Sequence, residues 1–565
     1  MSGLTTPGAD GGAPSRHHRR FDVVAALSIV FVVLIVGGPG ISVGGLGWSD
    51  APNHTFDGIF IYELLKQQPE GSWRHWAEQF YLRYPALGII VYYPPGFAAV
   101  EAFIFALAGV SVATARATVL LYAAGAGLLM YALGRRWFDR PTGLVAALIL
   151  LTCPHGFAWM NDVMLEWPAT FWILAAVCAY ERDRAGRRAI WSAALGLSVV
   201  MAFTTKQTAG FILPVILLHA VSAGEARRYF LRGGFIVSVS LSVLLIGCYL
   251  VVAGRFAALP AFLLKPSLDF SGMAGWPVEM LGWPLLPLAI LGLGTFVLKS
   301  DRGARGLLLL WFVGWTGFSL LIVGKEPRYL FYSIPPLAFA AVRFCLPSER
   351  RGASRPLSVP TDAARFILLG LLVVVQVVLG RSGSTGRLPT YAGAVRELVR
   401  RPDADLVLVD AVRDGQFILD VYLDDDARDR IVPLRASKVL YARAARERYG
   451  YEQFVRSGRE IIELLDRYGI RYIVLESRLP DTAYVEADPP PRMMLRELLG
   501  TDERFRLVRS WPLACGDRIW DNVELRLYEY PGCPARTSHS IRLSIPGMGR
   551  EVTIELPPEP PGQSR

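Results

Sequence analysis

The sequence predicts an α-helical polytopic membrane protein with a soluble α/β domain at its C-terminal end. Three observations predict it. Of 565 residues, 52% are hydrophobic, and a mean hydropathy of +0.34 is too apolar for an ordinary soluble protein. Apolar runs of membrane-crossing character recur from Phe21 to Leu379. Beyond Leu379 the composition turns polar, and short alternating runs separated by turn residues take over.

Residues 1–20 are rich in Gly, Pro and Arg and read as a disordered cytoplasmic N-terminus. They end in the basic cluster Arg16, His17, His18, Arg19 and Arg20. Phe21 to Gly38 is a first apolar span; no small-x-small cleavage site follows, so it reads as an uncleaved anchor. Further spans fall near Ala115 to Leu133, Gly143 to Trp159, Val163 to Tyr180, Ile190 to Phe203 and Thr208 to Val221. Gly233 to Val252, Met280 to Leu298, Gly306 to Val323, Tyr329 to Phe344 and Ala363 to Leu379 follow, for about eleven crossings within residues 21–380.

Basic clusters fall in every second loop, beginning with Arg135, Arg136 and Arg140, and mark those loops as cytoplasmic. The net charge of +10 follows from these loops, and nucleic acid is not expected as a partner. Gly96 to Gly109 is apolar but short and carries Glu101. A crossing there would turn every later basic loop outward, so it reads as an outer juxtamembrane helix.

RSGSTGRLPT at 381–390 is a linker. The soluble domain spans 391–557, with strands expected at LVLVD (Leu406), RYIVLES (Arg471), FRLVRSW (Phe505) and ELRLYEY (Glu524). Helices are expected near Tyr391 to Arg400 and Arg456 to Tyr468, and a hairpin over Ile541 to Leu556. The Pro-rich end, 558–565, reads as disordered. An odd number of crossings puts the domain on the outer face of the cytoplasmic membrane.

The outer loops gather the chemistry. WSDAPNHTFDGIFIYE, Trp48 to Glu63, brings Asp50, His54, Asp57 and Glu63 together at near-helical spacing, as on one face of a short surface helix. Later outer loops carry Asn161, Asp162 and Glu166, then Lys206, then Lys265 and Asp269, then Lys325, Glu326 and Arg328. Charges near bilayer depth are expensive, so a set confined to one face points to function. Solvated helix ends account for Asp269 more readily than for Asp162 or Lys206, which adjoin apolar runs.

Asp50, His54 and Asp57 supply oxygen and nitrogen ligands of the kind a divalent metal takes, but at no specific metal spacing. Trp48 and the neighbouring Trp and Tyr residues read as an aromatic membrane belt. Cys515 and Cys533 are placed to pair if the domain lies outside the cytoplasm; the other cysteines read as small core residues.

Asp50, YYPPG (Tyr92 to Gly96), GVSVATAR (Gly109 to Arg116), NDVMLEWP (Asn161 to Pro168), TTKQTAG (Thr204 to Gly210) and GKEPRYLFYSIPP (Gly324 to Pro336) form an ordered series. In this series the chain resembles the GT-C superfamily of polyprenyl-phosphate-sugar-dependent glycosyltransferases, over roughly Phe21 to Leu379. Lipid A aminoarabinose transferases, protein O-mannosyltransferases and Rgt-type transferases belong to that group. The resemblance implies a GT-C-like bundle with Asp50 as general base and Asp162 as a second outer-loop acid. Where relatives often have Asp-Glu this chain has Asp50-Ala51, so a second carboxylate either is not needed or comes from Asp57, Glu63 or Glu166. Lys206, Lys325 and Arg328 are implied to hold the donor phosphate.

The residue types suit that chemistry independently. Sugar transfer from a phosphate needs a base for the acceptor hydroxyl and cations for the departing phosphate. The implied partners are a polyprenyl-phosphate sugar, an envelope glycan, lipid or protein acceptor, and the bilayer. A transporter or flippase for a lipid-linked or polar substrate is the alternative. That alternative needs polar groups on both sides, and the hydropathy pattern shows no inverted repeat.

Overall fold

The computed structural model describes residues 16–42, 44–88, 93–186, 188–224, 229–256, 275–298, 303–321, 326–346, 359–382, 391–443, 451–478, 489–513, 522–545 and 550–556. Lys265, Asp269, Lys325, Cys515 and most of the expected linker lie outside them.

The apolar part is a helical bundle of α1 (Arg16–Gly37), α2 (Ala51–Gln67), α3 (Trp73–Arg83), α4 (Gly96–Ala108), α5 (Val112–Trp137), α6 (Arg140–Thr152), α7 (Pro154–Met160), α8 (Glu166–Gly186), α9 (Ala189–Thr205) and α10 (Ile212–Ser222). It continues with α11 (Gly233–Phe256), α12 (Trp276–Leu281), α13 (Leu285–Leu298), α14 (Ala304–Leu321), α15 (Ile334–Cys345) and α16 (Val359–Ser382). Helix α1 starts ahead of Phe21, so the basic cluster expected in a disordered tail forms its first turn instead.

Among the described residues, Arg16–Gly40, Val112–Trp137 and Gly233–Val251 are long and apolar enough to cross a membrane, and α6 with α7 makes a fourth if that bent pair is one span. Several of the other expected crossings are shorter or broken helices. The run expected from Gly143 bends by 63° between α6 and α7. Pro154 lacks an amide donor, and Cys153 before it takes φ −58°, ψ 150°, the extended conformation a following proline favours. The runs expected from Thr208 and Tyr329 open as 3₁₀ turns, Gln207–Phe211 and Pro327–Ser333, before α10 and α15 begin.

Helix α2 overturns the expected surface helix. His54, Asp57 and Glu63 are all buried in it. Its outer faces are covered by α3, by α4 and by the C-terminal domain, where Phe56, Tyr84 and Tyr422 pack ring against ring with centroids 5.1 to 6.0 Å apart.

The C-terminal domain comprises α17 (Ala392–Val399), β1 (Leu406–Asp410), α18 (Asp414–Leu423), α19 (Asp425–Arg428), β2 (Val432–Arg435), α20 (Ala436–Val439), β3 (Tyr441–Arg443), β4 (Tyr451–Gln453), α21 (Gly458–Tyr468), β5 (Tyr472–Glu476), α22 (Pro490–Thr501), β6 (Arg506–Pro512), β7 (Glu524–Glu529), β8 (Ser540–Ile545) and β9 (Arg550–Glu555). Its five-stranded sheet runs β2-β1-β5-β7-β6, parallel from β2 to β5 and antiparallel thereafter. The expected hairpin is β8-β9.

Alternation sorts the sheet's two faces. Leu406, Leu408, Ile473 and Leu475 join a core continuous with the helical bundle. Val407, Val409, Val474 and Leu527 face a second core closed by α17 and α18. The domain is therefore fused to the bundle by shared apolar contact on one face.

Gly292 on α13 is where that helix meets α15 most closely, since a Cβ there would overlap the Ala340 carbonyl. Gly294, one turn-side away on the same helix, has nothing near its Cβ position within 4 Å. Gly292→Val should lower thermal stability by about 1–3 kcal/mol, as overpacking does, whereas Gly294→Ala should leave the melting temperature unchanged. Equal melting curves for both variants in detergent would refute this packing.

Candidate active site

Asp50 sits immediately before α2, but its side chain does not cap that helix. Its Oδ2 instead accepts a hydrogen bond at 3.0 Å from Nη1 of Arg328, in the 3₁₀ turn Pro327–Ser333. Nε of Arg328 lies 2.6 Å from Oε2 of Glu326. Burial pushes the Asp50 carboxyl up; the Arg328 guanidinium, with His54 and Lys206, more than offsets this, and the group stands below the usual carboxylate range.

A second pair lies alongside. Lys206 Nζ donates to Glu166 Oε1 at 2.7 Å, with Glu166 fully buried. Glu166 opens α8 and Lys206 follows the last residue of α9, so each charge faces the helix terminus of opposite sign. Tyr329 joins the two pairs: the Lys206 ammonium lies 5.2 Å from its ring centroid and the Arg328 guanidinium 5.6 Å. Tyr332 backs Lys206, and Trp48 backs Arg328. Three carboxylates, those of Asp50, Glu166 and Glu326, thus surround two described cations, Arg328 and Lys206.

Of the other expected acids, none joins this cluster. Both oxygens of Asp162 hold backbone: Oδ2 accepts from Trp48 N at 2.6 Å and Oδ1 from Val163 N at 3.0 Å. Arg116 braces the same loop by donating to Gly40 O at 2.8 Å and Gly45 O at 2.7 Å. Asp162 therefore sets the path of the chain into Asp50. Asp57 accepts from Gly88 N at 2.7 Å, and Glu63 binds the Tyr422 hydroxyl of the C-terminal domain at 2.7 Å. Glu166 is the member of the expected second-carboxylate set that reaches the cluster, although it is engaged by Lys206.

The metal set expected from Asp50, His54 and Asp57 does not assemble, because Asp57 is turned to Gly88; among the described residues no three His, Cys, Asp or Glu side chains converge as metal ligands. His54 instead packs on Tyr93, ring centroids 4.4 Å apart. Burial drives its imidazole down to about 4, against the pull of Asp50 and Glu166, so it is neutral at physiological pH.

The C-terminal domain roofs the loop before Asp50. Gln416 Oε1 accepts from Leu46 N at 2.7 Å, and its Nε2 donates to Asp420 at 2.8 Å. Arg435, held by Asp414, donates to Pro85 O at 3.0 Å. The pattern of residues pointed to Asp50, Glu166, Lys206 and Arg328 and counted Glu326 among the charges without giving it a role, but it did not point to Tyr329, Tyr332 or Gln416. Gln416 carried no signal, because its partner is 370 residues away.

Two outcomes test this arrangement. Lys206→Met strands the buried Glu166 charge and should destabilise the protein by about 3–5 kcal/mol, and adding Glu166→Gln should recover most of that; additive losses would mean the pair is uncoupled. His54, near 6.5 when unfolded and about 4 when folded, costs stability as pH falls through that interval, where the unfolded imidazole takes up a proton that the buried one refuses. His54→Gln should therefore flatten the melting temperature against pH between about 6.5 and 4; an unaltered slope would place that titration elsewhere.

Comparison with known proteins bears on the fold. A family model described as dolichyl-phosphate-mannose-protein mannosyltransferase matches residues 93–252. Undecaprenyl phosphate-alpha-4-amino-4-deoxy-L-arabinose arabinosyl transferase 2 of Proteus mirabilis is 25% identical over 284 residues, 45% of this chain and 49% of the relative. The match thus spans about half of that relative's length. The crystal structure of ArnT from Cupriavidus metallidurans bound to undecaprenyl phosphate superposes with a TM-score of 0.56 at 15% identity, covering 92% of this chain and 99% of the other. The archaeal oligosaccharyltransferase AglB from Archaeoglobus fulgidus, in complex with an inhibitory peptide and a dolichol-phosphate, gives 0.54 at 11% identity over 82% of this chain and 70% of its own. Over most of its length the chain shares the fold of the ArnT and AglB structures.

Proposed function

We propose that the protein is a membrane glycosyltransferase that moves a sugar from a polyprenyl-phosphate carrier to an acceptor hydroxyl. The observation that carries this reading is the charge cluster itself: a carboxylate, Asp50, in contact with a guanidinium, Arg328, at the edge of an apolar bundle and beneath a soluble domain. The acceptor is a cell-envelope glycan, lipid or protein on the outer face of the bacterial cytoplasmic membrane, with the N-terminus in the cytoplasm and the C-terminal domain outside. The relatives named above, whose descriptions carry undecaprenyl phosphate and dolichol phosphate, support a polyprenyl-phosphate donor.

In this reading the resting pairs are exchanged when the donor enters. The donor phosphate competes for Arg328 and Lys206, which as charge-assisted donors favour phosphate oxygens as readily as carboxylate ones. Withdrawing Arg328 from Asp50 frees that carboxylate and raises its proton affinity. Asp50 then takes the proton of the acceptor hydroxyl as its oxygen bonds to the anomeric carbon. The bond from that carbon to the phosphate oxygen breaks, and the phosphate leaves with an added negative charge that the cations offset. Asp162 and Arg116 act through the backbone by holding the loop that aims Asp50.

The test is sugar release from a panel of radiolabelled polyprenyl-phosphate sugars by purified protein in detergent. Wild type should turn over one donor. Asp50→Asn should lose about 100-fold or more in kcat while melting normally, the scale of a lost general base, and Arg328→Gln should raise the donor KM. Full turnover by folded Asp50→Asn would remove Asp50 from the chemistry, and binding without turnover of any donor in the presence of membrane acceptors would overturn the transferase reading.

A further inference from the structure

Arg413 stands between β1 and α18, at the residue before that helix, and its neighbours are all tied down. Val412 N donates to Glu476 Oε2 at 2.9 Å. Asp414 grips Arg435 through two bonds of 2.7 Å. A Cβ on Gly415 would lie 3.1 Å from Pro52, and Gln416 holds Leu46 N. The segment following Arg413 thus touches the chain on both sides of Asp50, at Leu46 and at Pro52.

The guanidinium itself is committed to nothing. It is partly buried, its Nε is enclosed without a hydrogen-bond partner, and among the described residues it forms no ion pair. Asp50 and Asp162 lie close enough to act on its charge, as do Tyr391 and Glu476 from its own domain. An enclosed Nε without a partner is costly to a charged group, and an anion in the site would offset that cost. Arg328 and Lys206 already face carboxylates, so Arg413 is a described cation near Asp50 with its charge uncommitted.

We propose that Arg413 is a phosphate-binding residue by which the C-terminal domain completes the site beneath it; this rests on the transferase reading. The fork of N–H donors on a guanidinium matches phosphate oxygens in a way a point charge does not. The phosphate belongs either to the polyprenyl-phosphate donor or to a phosphorylated acceptor, which would enter on the domain side of Asp50.

The experiment uses the full-length protein in detergent and compares wild type, Arg413→Gln, Arg413→Lys and Arg328→Gln. Binding of sugar-free undecaprenyl phosphate is titrated first, then binding of inorganic phosphate to protein saturated with that lipid, with melting temperatures recorded throughout. If Arg413 holds the donor phosphate, Arg413→Gln weakens lipid binding by about tenfold or more, Arg413→Lys recovers part of it, and the melting temperature does not move. If it holds an acceptor phosphate, lipid binding is unchanged, but the saturable inorganic phosphate site of the wild type disappears in Arg413→Gln. Wild-type values in Arg413→Gln for both ligands, alongside weakened lipid binding in Arg328→Gln, would overturn the proposal and leave the transferase reading intact. A loss of binding that tracks a fallen melting temperature and that Lys does not rescue would also overturn it, as a purely structural role. No lipid binding by wild type would sink the transferase reading, and this proposal with it.

Discussion

Charge removed from water at the boundary of an apolar bundle has to be matched on the spot, and the centre of this protein is built around that constraint. Glu166 and Lys206 meet at 2.7 Å, Asp50 and Arg328 at 3.0 Å, and Tyr329 lies against both cations. The four charged groups come from the loop before α2, the start of α8, the end of α9 and a 3₁₀ turn. Their pairing therefore fixes the relative positions of helices otherwise held by non-directional apolar contact. Cations that are already desolvated and aimed suit an incoming anion.

Around that centre, the polar side chains that do not join the cluster satisfy backbone. Asp162 and Arg116 take up amides and carbonyls of the loop before α2, and Gln416 reaches across from the C-terminal domain to Leu46. A loop that enters a buried site must have its backbone groups paired. Here the pairing comes from two directions, the bundle below and the sheet domain above. The C-terminal domain is consequently part of the site's architecture, sharing one apolar core with the bundle and clamping Glu63, Pro85 and Leu46.

Much of the fold was legible because its signals are local. Hydropathy marked the helices, short β-prone runs marked β1, β5, β6 and β7, and alternation marked the β8-β9 hairpin. The four-residue β2 was not legible, since so short a run shows no period. Nor was the break at Cys153 read, although Pro154 signals it, because continuous hydropathy outweighed the single proline. The surface placement of α2 failed for a different reason: its acids looked like a solvated face, and their buried partners, Gly88 N and the Tyr422 hydroxyl, are remote in sequence.

By itself, then, the sequence determined the apolar helical bundle, the α/β domain after it and the inventory of charges between the apolar runs, because composition and periodicity are properties of neighbouring residues. Only the tertiary structure decided what each charge does. Asp50 and Asp162 are the same residue type, each in a loop ahead of a helix, yet one meets a guanidinium and the other two backbone amides. Arg328 and Arg413 are equally basic on paper, yet one is paired and the other is not among the described residues. Those differences arise from contacts across hundreds of residues, which burial makes strong and which no local pattern records.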